Sequence, residues 1–396
     1  MVPVIFESRV VSSPFALLPI DSTFMRILEI VSARGINGVS KHVIDAGVEL
    51  RKRGHEVTIL GCPDAWILGA AAELEFRTIA SDMHRWPTDE LRRIAGFIHR
   101  NEIDVVHTHM SKANFFGVLL RWVAGVPSVA TAHSCHLQLH WMANNFVIAV
   151  SEATRRYHRL VNLVPGSRIK TIHNSIQIPT HTLQAHQAIR TQVRENLGLR
   201  PNDFAIGLVG RIATQKGQLT MVEAMPAILA TLPQAKLLLI GGFETPEYVA
   251  QIQKHVDLHH LNEHVQMLGM RSDVLELLYG IDLLAQPSLW ESFPISMLEG
   301  MAAGVPIVAS DVGGVRECLQ HNRSGYLIPP KNPEELSSAI LKLAGAPELC
   351  ARLVKEAKKV VRLHFAPEPQ TAKLEAVLES VSGNSAHRRR PKQIAA

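Results

Sequence analysis

The sequence predicts an α/β protein made of two Rossmann-like, doubly wound domains in series. Three observations predict it. The chain has 396 residues, too many for one ordinary domain and suited to two. Short apolar runs alternate with amphipathic stretches, the rhythm of a parallel sheet covered on both faces. That rhythm fades near residue 176 and restarts after residue 200.

In the first half, strands are predicted at 26–31, 57–60, 104–107, 128–131 and 146–150. The run Arg26-Ile-Leu-Glu-Ile-Val31 leads into a glycine-containing loop at 33–38 and a helix over 40–53. Gly54 stops that helix as a C′ glycine does. Leu91, Ile94, Ala95 and Ile98 fall at helical spacing, with Arg92, Arg93 and Arg100 among the intervening positions. In the second half, strands are predicted at 204–209, 236–240 (running into Gly241-Gly242), 283–285 and 307–309.

These elements divide the chain into an extension over 1–24, a first domain over 25–180 and a polar linker over 181–203. A second domain follows over 204–365, then a helix at 366–382 that packs back on the first domain, then a basic tail over 383–396. The extension and the tail are expected to be disordered. Residues 1–24 contain Glu7, Arg9, Pro14 and Pro19, so a signal peptide is not expected. The most apolar stretch, 113–132, is interrupted by Arg121 and Pro127, which argues against a membrane-spanning helix.

Composition sets the class. Hydrophobic residues make up 46% and charged residues 19%, which is globular usage. Cys62, Cys135, Cys318 and Cys350 lie far apart without a CxxC pair and read as reduced thiols of a cytoplasmic protein. The net charge of +5 is uneven: residues 1–200 carry 22 Lys/Arg against 16 Asp/Glu, a balance of +6, and the rest a balance of −1. A basic first half fits an anionic neighbour such as the inner face of a membrane or an acidic acceptor. Met83-His-Arg-Trp86 with Arg92 and Arg93, and Arg155-Arg-Tyr-His-Arg159, are the segments for such a peripheral patch; a solvated helix face is the plainer reading. No nucleic-acid motif accompanies the charge, so nucleic acid is not an expected partner.

Two motifs carry the chemistry. The first is Gly210-Arg-Ile-Ala-Thr-Gln-Lys216-Gly217, after a strand and before a helix. A diphosphate matches an arginine fork, a lysine point charge and backbone N–H groups at a helix start. A solvated basic loop with convenient glycines has the same letters. The second is sharper: Ser288-Leu-Trp-Glu291-Ser292-Phe293-Pro294-Ile295-Ser-Met-Leu-Glu299-Gly-Met-Ala-Ala-Gly304-Val-Pro306. Pro294 suits helix position N1, Gly304 suits C′, and Pro306 follows the stop, so the helix is about ten residues long. Glu291 precedes its start. Glu299 lies in its second turn, where a carboxylate can accept from the vicinal hydroxyls of a ribose, as Rossmann sites do with another acid. Two surface glutamates on an amphipathic helix are the alternative, which fits Glu299 poorly beside Met297, Leu298 and Met301.

In this setting the Glu291-x7-Glu299 signature resembles glycosyltransferase family 4, retaining enzymes of the GT-B fold. The likeness extends to Gly313-Gly-Val-Arg-Glu317, Ser324-Gly-Tyr-Leu-Ile328, Gly241-Gly242 and Leu268-Gly-Met-Arg271-Ser-Asp273. In the first domain it includes Gly35-Ile-Asn-Gly38 and His133. The resemblance implies two domains facing across a central cleft. It implies that Arg211 and Lys216 hold the donor diphosphate, that Glu299 binds the ribose and that Glu291 lies beside the transferred sugar. The N–H groups of Phe293 to Ile295 would face phosphate or sugar at the helix start. Gly38 would lie near the phosphates and the acceptor, and His133 near the anomeric centre. Gly210, Gly242, Arg271, Ser292 and Pro294 complete the implied donor site. Two departures stand out: Gly-Ile-Asn-Gly replaces the commoner Gly-Gly pair, and Arg316 stands where a proline is usual.

The expected donor is a UDP-, GDP- or ADP-sugar and the acceptor a hydroxyl of a glycan, lipid-linked sugar or small molecule. Negative charge building on the departing diphosphate would be met by Arg211 and Lys216. No Asp-x-Asp occurs, so a metal–diphosphate clamp has no obvious ligands, and neither metal nor cofactor is expected. Other readings remain open. A GT-B-like epimerase would need no acceptor, and a non-catalytic sugar-nucleotide binder would have the same site. His107-Thr-His109 at a strand end is a zinc-ligand pattern of barrel hydrolases, and His133, His136 and His140 would share a face if helical.

Overall fold

The computed structural model describes residues 24–83, 88–180 and 182–386. Two all-parallel sheets organise the chain. The first holds seven strands: β1 (Arg26–Val31), β2 (Glu56–Gly61), β3 (Arg77–Ala80), β4 (Val105–His109), β5 (Ser128–Ala132), β6 (Phe146–Ala149) and β7 (Ile169–Thr171). The second holds six: β8 (Phe204–Val209), β9 (Ala235–Ile240), β10 (Val265–Gly269), β11 (Leu283–Gln286), β12 (Ile307–Ser310) and β13 (Tyr326–Ile328). Strand order is β3-β2-β1-β4-β5-β6-β7 in one and β10-β9-β8-β11-β12-β13 in the other. Both are doubly wound, with their reversals between β1 and β4 and between β8 and β11.

The central strands are buried beyond the first residues of β1 and β8, which is why they read as apolar runs. The buried polar exceptions include Glu29 in the middle of β1, His107, Thr108 and His109 on β4, and Gln286 on β11.

The stretch read as a linker, 181–203, is not a plain connector. It contains the helix Leu183–Asn196, which packs on the helix Val274–Gly280 of the second domain. Arg190 donates to the carbonyls of Tyr279 and Ile281, and Arg194 to that of Gly280 and to Asp282. Carbonyls at a helix C-terminus lack intrahelical partners, and arginine forks satisfy them here. Gly280 is needed for this packing, since a Cβ there would lie 2.4 Å from Val193 Cγ1. Polar composition had concealed a helix whose charged groups are spent on backbone.

The last helix, Pro367–Ala386, returns to the first domain. Leu374, Val377, Leu378 and Val381 join that domain's core. Glu375 receives hydrogen bonds from Arg53 at 3.0 Å and His55 Nε2 at 2.8 Å. Residues 1–23 and 387–396, which hold most of the expected extension and tail, lie outside the described residues, as do His84, Arg85 and Trp86 of the first basic segment.

Removing one partner of a buried charged cluster strands the others. Glu375→Ala is therefore expected to lower unfolding free energy by roughly 2–4 kcal/mol in denaturant titrations. A loss within error of zero would show that this anchor does not hold the helix.

Candidate active site

Ligands in doubly wound sheets bind beyond the carboxyl ends of the strands, at the reversal. The Gly210–Gly217 motif follows β8 and the Glu291 loop follows β11, so both flank the second sheet's reversal. Gly241-Gly242 follows β9 and Arg271 follows β10, on the same edge. Gly38 opens the helix after β1, and His133 follows β5.

Lys216 and Glu291, 75 residues apart in sequence, form one ion pair: Nζ donates to Oε1 at 2.6 Å. Ser288 donates to the same oxygen at 2.7 Å. The pair is enclosed, with the Lys216 side chain 19% exposed and that of Glu291 7%. Close backbone approaches hold it in place. Gly217 has φ +71°, and a Cβ there would sit 2.0 Å from the Pro287 carbonyl oxygen. Gly313 has φ +51° and packs against the Glu291 backbone, where a Cβ would meet the carbonyl oxygen at 1.9 Å. Both positions demand glycine. The aliphatic stem of Lys216 lies against Gly210.

Pro294 is the N-cap residue of the helix Ile295–Ala303, one position earlier than its sequence preference for N1. Gly304 ends the helix in the left-handed conformation. Glu299 is half-buried in the second turn and makes no ion pair among the described residues. Burial pushes its carboxyl up to about 7; Lys41 opposes the rise and Asp45 adds to it. Burial likewise pushes Asp45 up to about 6, against Lys41. Lys41 and Asp45 belong to the first-domain helix Gly38–Lys52, so the cleft brings both domains to Glu299.

The domains touch elsewhere along the cleft. A Cβ on Gly38 would lie 3.0 Å from Ile295 Cδ1. Phe293 is buried against His173 and Phe365, and its carbonyl accepts from Asn174. Ser292 is buried beside it. Glu317 accepts from the backbone N–H groups of Glu152 and Ala153 at 2.8 and 3.2 Å, capping a first-domain helix. Arg211 and Arg271 take other partners: Arg211 pairs with Glu244 at 2.8 Å and Arg271 with Asp273 at 2.5 Å, all four side chains open to solvent. Met270 lies against both Gly242 and Gly35.

His133 is half-exposed at the end of β5, and its Nε2 lies 3.0 Å from His109 Nδ1. Burial, then the neighbouring imidazoles of His109, His42 and His107, push its pKa well down. His109 and His107 both reach Glu29, at 2.9 and 3.0 Å. These three set ligand-type atoms within 4.8 Å of one another, yet each is engaged in hydrogen bonds. The barrel setting of the zinc reading does not hold, because the strands form two open sheets. Nor do His133, His136 and His140 share a helix face: residues 133–138 are irregular and a short 3₁₀ turn begins only at Leu139. Sequence reasoning missed Glu29, Lys41, Asp45 and the unpaired Nδ1 of His42. The one available signal was a glutamate inside an otherwise apolar strand.

Comparison with known proteins matches this geometry. The model of group 1 glycosyl transferases fits residues 189–360, and that of glycosyltransferase family 4 fits residues 36–178. The chain belongs to the family 4, or group 1, glycosyltransferases and is a transferase enzyme. An uncharacterized glycosyltransferase of Methanocaldococcus jannaschii is 26% identical, over 83% of this chain and 90% of that protein. The N-acetyl-alpha-D-glucosaminyl L-malate synthase of Bacillus anthracis is 25% identical, over 85% and 92%. The structure of Anabaena HepE in complex with UDP and glucose superposes with a TM-score of 0.80 at 21% identity, over 90% of this chain and all of that one. The fold is GT-B.

Proposed function

We propose that the enzyme transfers a hexose-type sugar from a UDP-, GDP- or ADP-sugar to a hydroxyl acceptor, with retention and without a metal ion. The enclosed Lys216–Glu291 pair, with Glu291 on the loop that leads into the helix bearing Glu299, carries this reading. Lys216 neutralises Glu291. An incoming diphosphate competes for the ammonium, and Glu291 is then free to accept from sugar hydroxyls on the other side of the phosphates. Glu299 accepts from the ribose. Arg211 exchanges Glu244 for phosphate oxygens, which an exposed pair permits at little cost. Fixed cations then meet the charge that grows on the leaving group. Lys216 and Arg211 make a cationic cradle that needs no further charge, so EDTA leaves binding intact. Among solved relatives, HepE is in complex with UDP and glucose, which supports a nucleotide-sugar donor here. A role in building cell-surface glycoconjugates rests on family resemblance.

Calorimetric titration of UDP, GDP and ADP in EDTA is expected to give diphosphate-dependent binding. Lys216→Ala should weaken it by about tenfold to a hundredfold. Binding that requires magnesium, or ignores the diphosphate, would sink the assignment. With a donor panel, slow hydrolysis of one sugar nucleotide should disappear in Glu291→Ala.

Glu299 adds a pH signature. Its carboxyl, raised to about 7, must be ionised to accept from the ribose, with Lys41 and Asp45 as its charged neighbours. Nucleotide affinity is therefore expected to hold above pH 7 and to weaken below it by up to about tenfold per pH unit. Glu299→Gln should flatten the profile. Wild-type affinity that does not change between pH 8 and 6 would contradict this role.

We also infer peripheral contact with an anionic membrane through the first domain. The loop bearing exposed Leu137, Leu139 and Met142 packs on the helix Glu152–Leu160, which carries Arg155, Arg156 and Arg159 and ends at exposed Leu160. Apolar side chains beside arginines suit an anionic interface. Among the described residues no helix is long and apolar enough to cross a membrane. All four cysteines are unpaired, which fits a cytoplasmic setting. Co-sedimentation with phosphatidylserine vesicles should fall when the three arginines become glutamine; unchanged binding, or none in the wild type, removes the contact.

A further inference from the structure

Glu29, His107, His109, Thr131 and His133 form a continuous polar line across β1, β4 and β5. The register makes it so. Glu29 lies opposite His107 and Val31 opposite His109 across β1 and β4, while His109 lies opposite Thr131 across β4 and β5. Residues 107 and 109, and 131 and 133, are alternate positions and share a face. The line runs from the sheet interior to the cleft edge.

Hydrogen-bond bookkeeping assigns the protons from Glu29 through His109 to His133. A carboxylate offers only acceptors. Glu29 is held as one: burial would raise its pKa, but His107 and the two imidazole hydrogen bonds bring it down to about 2. Both nitrogens facing it, His107 Nδ1 and His109 Nε2, therefore carry hydrogen. A neutral imidazole has one N–H, so His109 Nδ1 is a bare acceptor. Thr131 Oγ1 lies 2.7 Å from His107 Nε2. His133 Nε2 must donate to His109 Nδ1 at 3.0 Å. That leaves Nδ1 of His133 as a bare lone pair, with no partner among the described residues. Burial and mutual repulsion keep both rings neutral: His109 falls to about 4 and His133 goes well down. His42, whose ring centroid lies 6.0 Å from that of His133, is the other titratable group facing it and is held down to about 3.

We propose that Glu29 is a positioning residue that acts through His109 to set the tautomer of His133, so that His133 presents Nδ1 as a hydrogen-bond acceptor to a substrate hydroxyl. The inference rests on the reading of His133 as an active-site residue. Glu29 itself touches no substrate. Its charge is felt two rings away, and it is the anchor because it accepts from both histidines of β4. A bound metal ion would produce a different pattern, since it would replace the protons between Glu29 and the two rings.

The test combines kinetics with spectroscopy. Nitrogen-15 NMR of histidine-labelled wild-type enzyme, with His133→Asn used to assign the signal, is expected to show His133 protonated at Nε2 and bare at Nδ1. Glu29→Gln should lower kcat by about tenfold or more with donor KM within about threefold, because ground-state binding does not use this line. In a His133→Asn background the same change should cost nothing further, since Glu29 acts only through His133. Additive losses would mean a merely structural glutamate and overturn the proposal. So would Nδ1 protonation of His133 in the wild type, or one tightly held zinc per chain in metal analysis. The NMR arm decides the matter even if Glu29→Gln does not fold. If His133→Asn alone keeps full activity, the role of His133 in transfer falls, whereas the tautomer measurement still reads Glu29.

Discussion

In a parallel sheet every strand returns by a crossover, and where crossovers change direction two neighbouring strands send their connections opposite ways. The gap left between those connections is a crevice lined by backbone ends rather than by side chains of one element. This chain has two such reversals, β1 against β4 and β8 against β11, and the residues of the candidate site lie at them. The Lys216–Glu291 pair bridges the loops of the second reversal. Glu29 and the histidines of β4 straddle the first. The site follows from how the sheets are wound more than from any single loop.

The two halves of the cleft handle charge differently. In the second domain, cation and carboxylate sit close enough to neutralise each other, so the pocket holds its own counterions. An arriving diphosphate exchanges partners instead of entering an unbalanced field. In the first domain a buried carboxylate is held ionised by hydrogen bonds from two imidazoles. Such a network is costly when incomplete and rigid when complete. It suits a group whose protonation state has to stay fixed during turnover.

Contacts across the cleft couple the two. Lys41 and Asp45 reach Glu299 from the opposite domain, and Glu317 caps a first-domain helix. Gly38 lets the helix start of one domain approach Ile295 at the helix start of the other. Two helix N-termini and charged side chains from both domains therefore face the same cleft, where the field of each bears on the rest.

The sequence by itself determined the strand–helix rhythm, the two-domain division and the second-domain motifs, because each rests on local rules. Apolar runs mark central strands; Gly304 and Pro306 mark a helix end; Glu291 and Glu299 lie eight residues apart on a loop and the helix that follows it. It did not reveal the helix at Leu183–Asn196, whose arginines look solvated until the carbonyls they serve are placed beside them. Nor could it join Lys216 to Glu291, or Glu29 to His107, His109 and His133. Those partners are 24 to 80 residues apart, and only strand order and register bring them within hydrogen-bond reach. Local periodicity can say which face a side chain takes, but which strand lies alongside is decided by burial of the whole sheet.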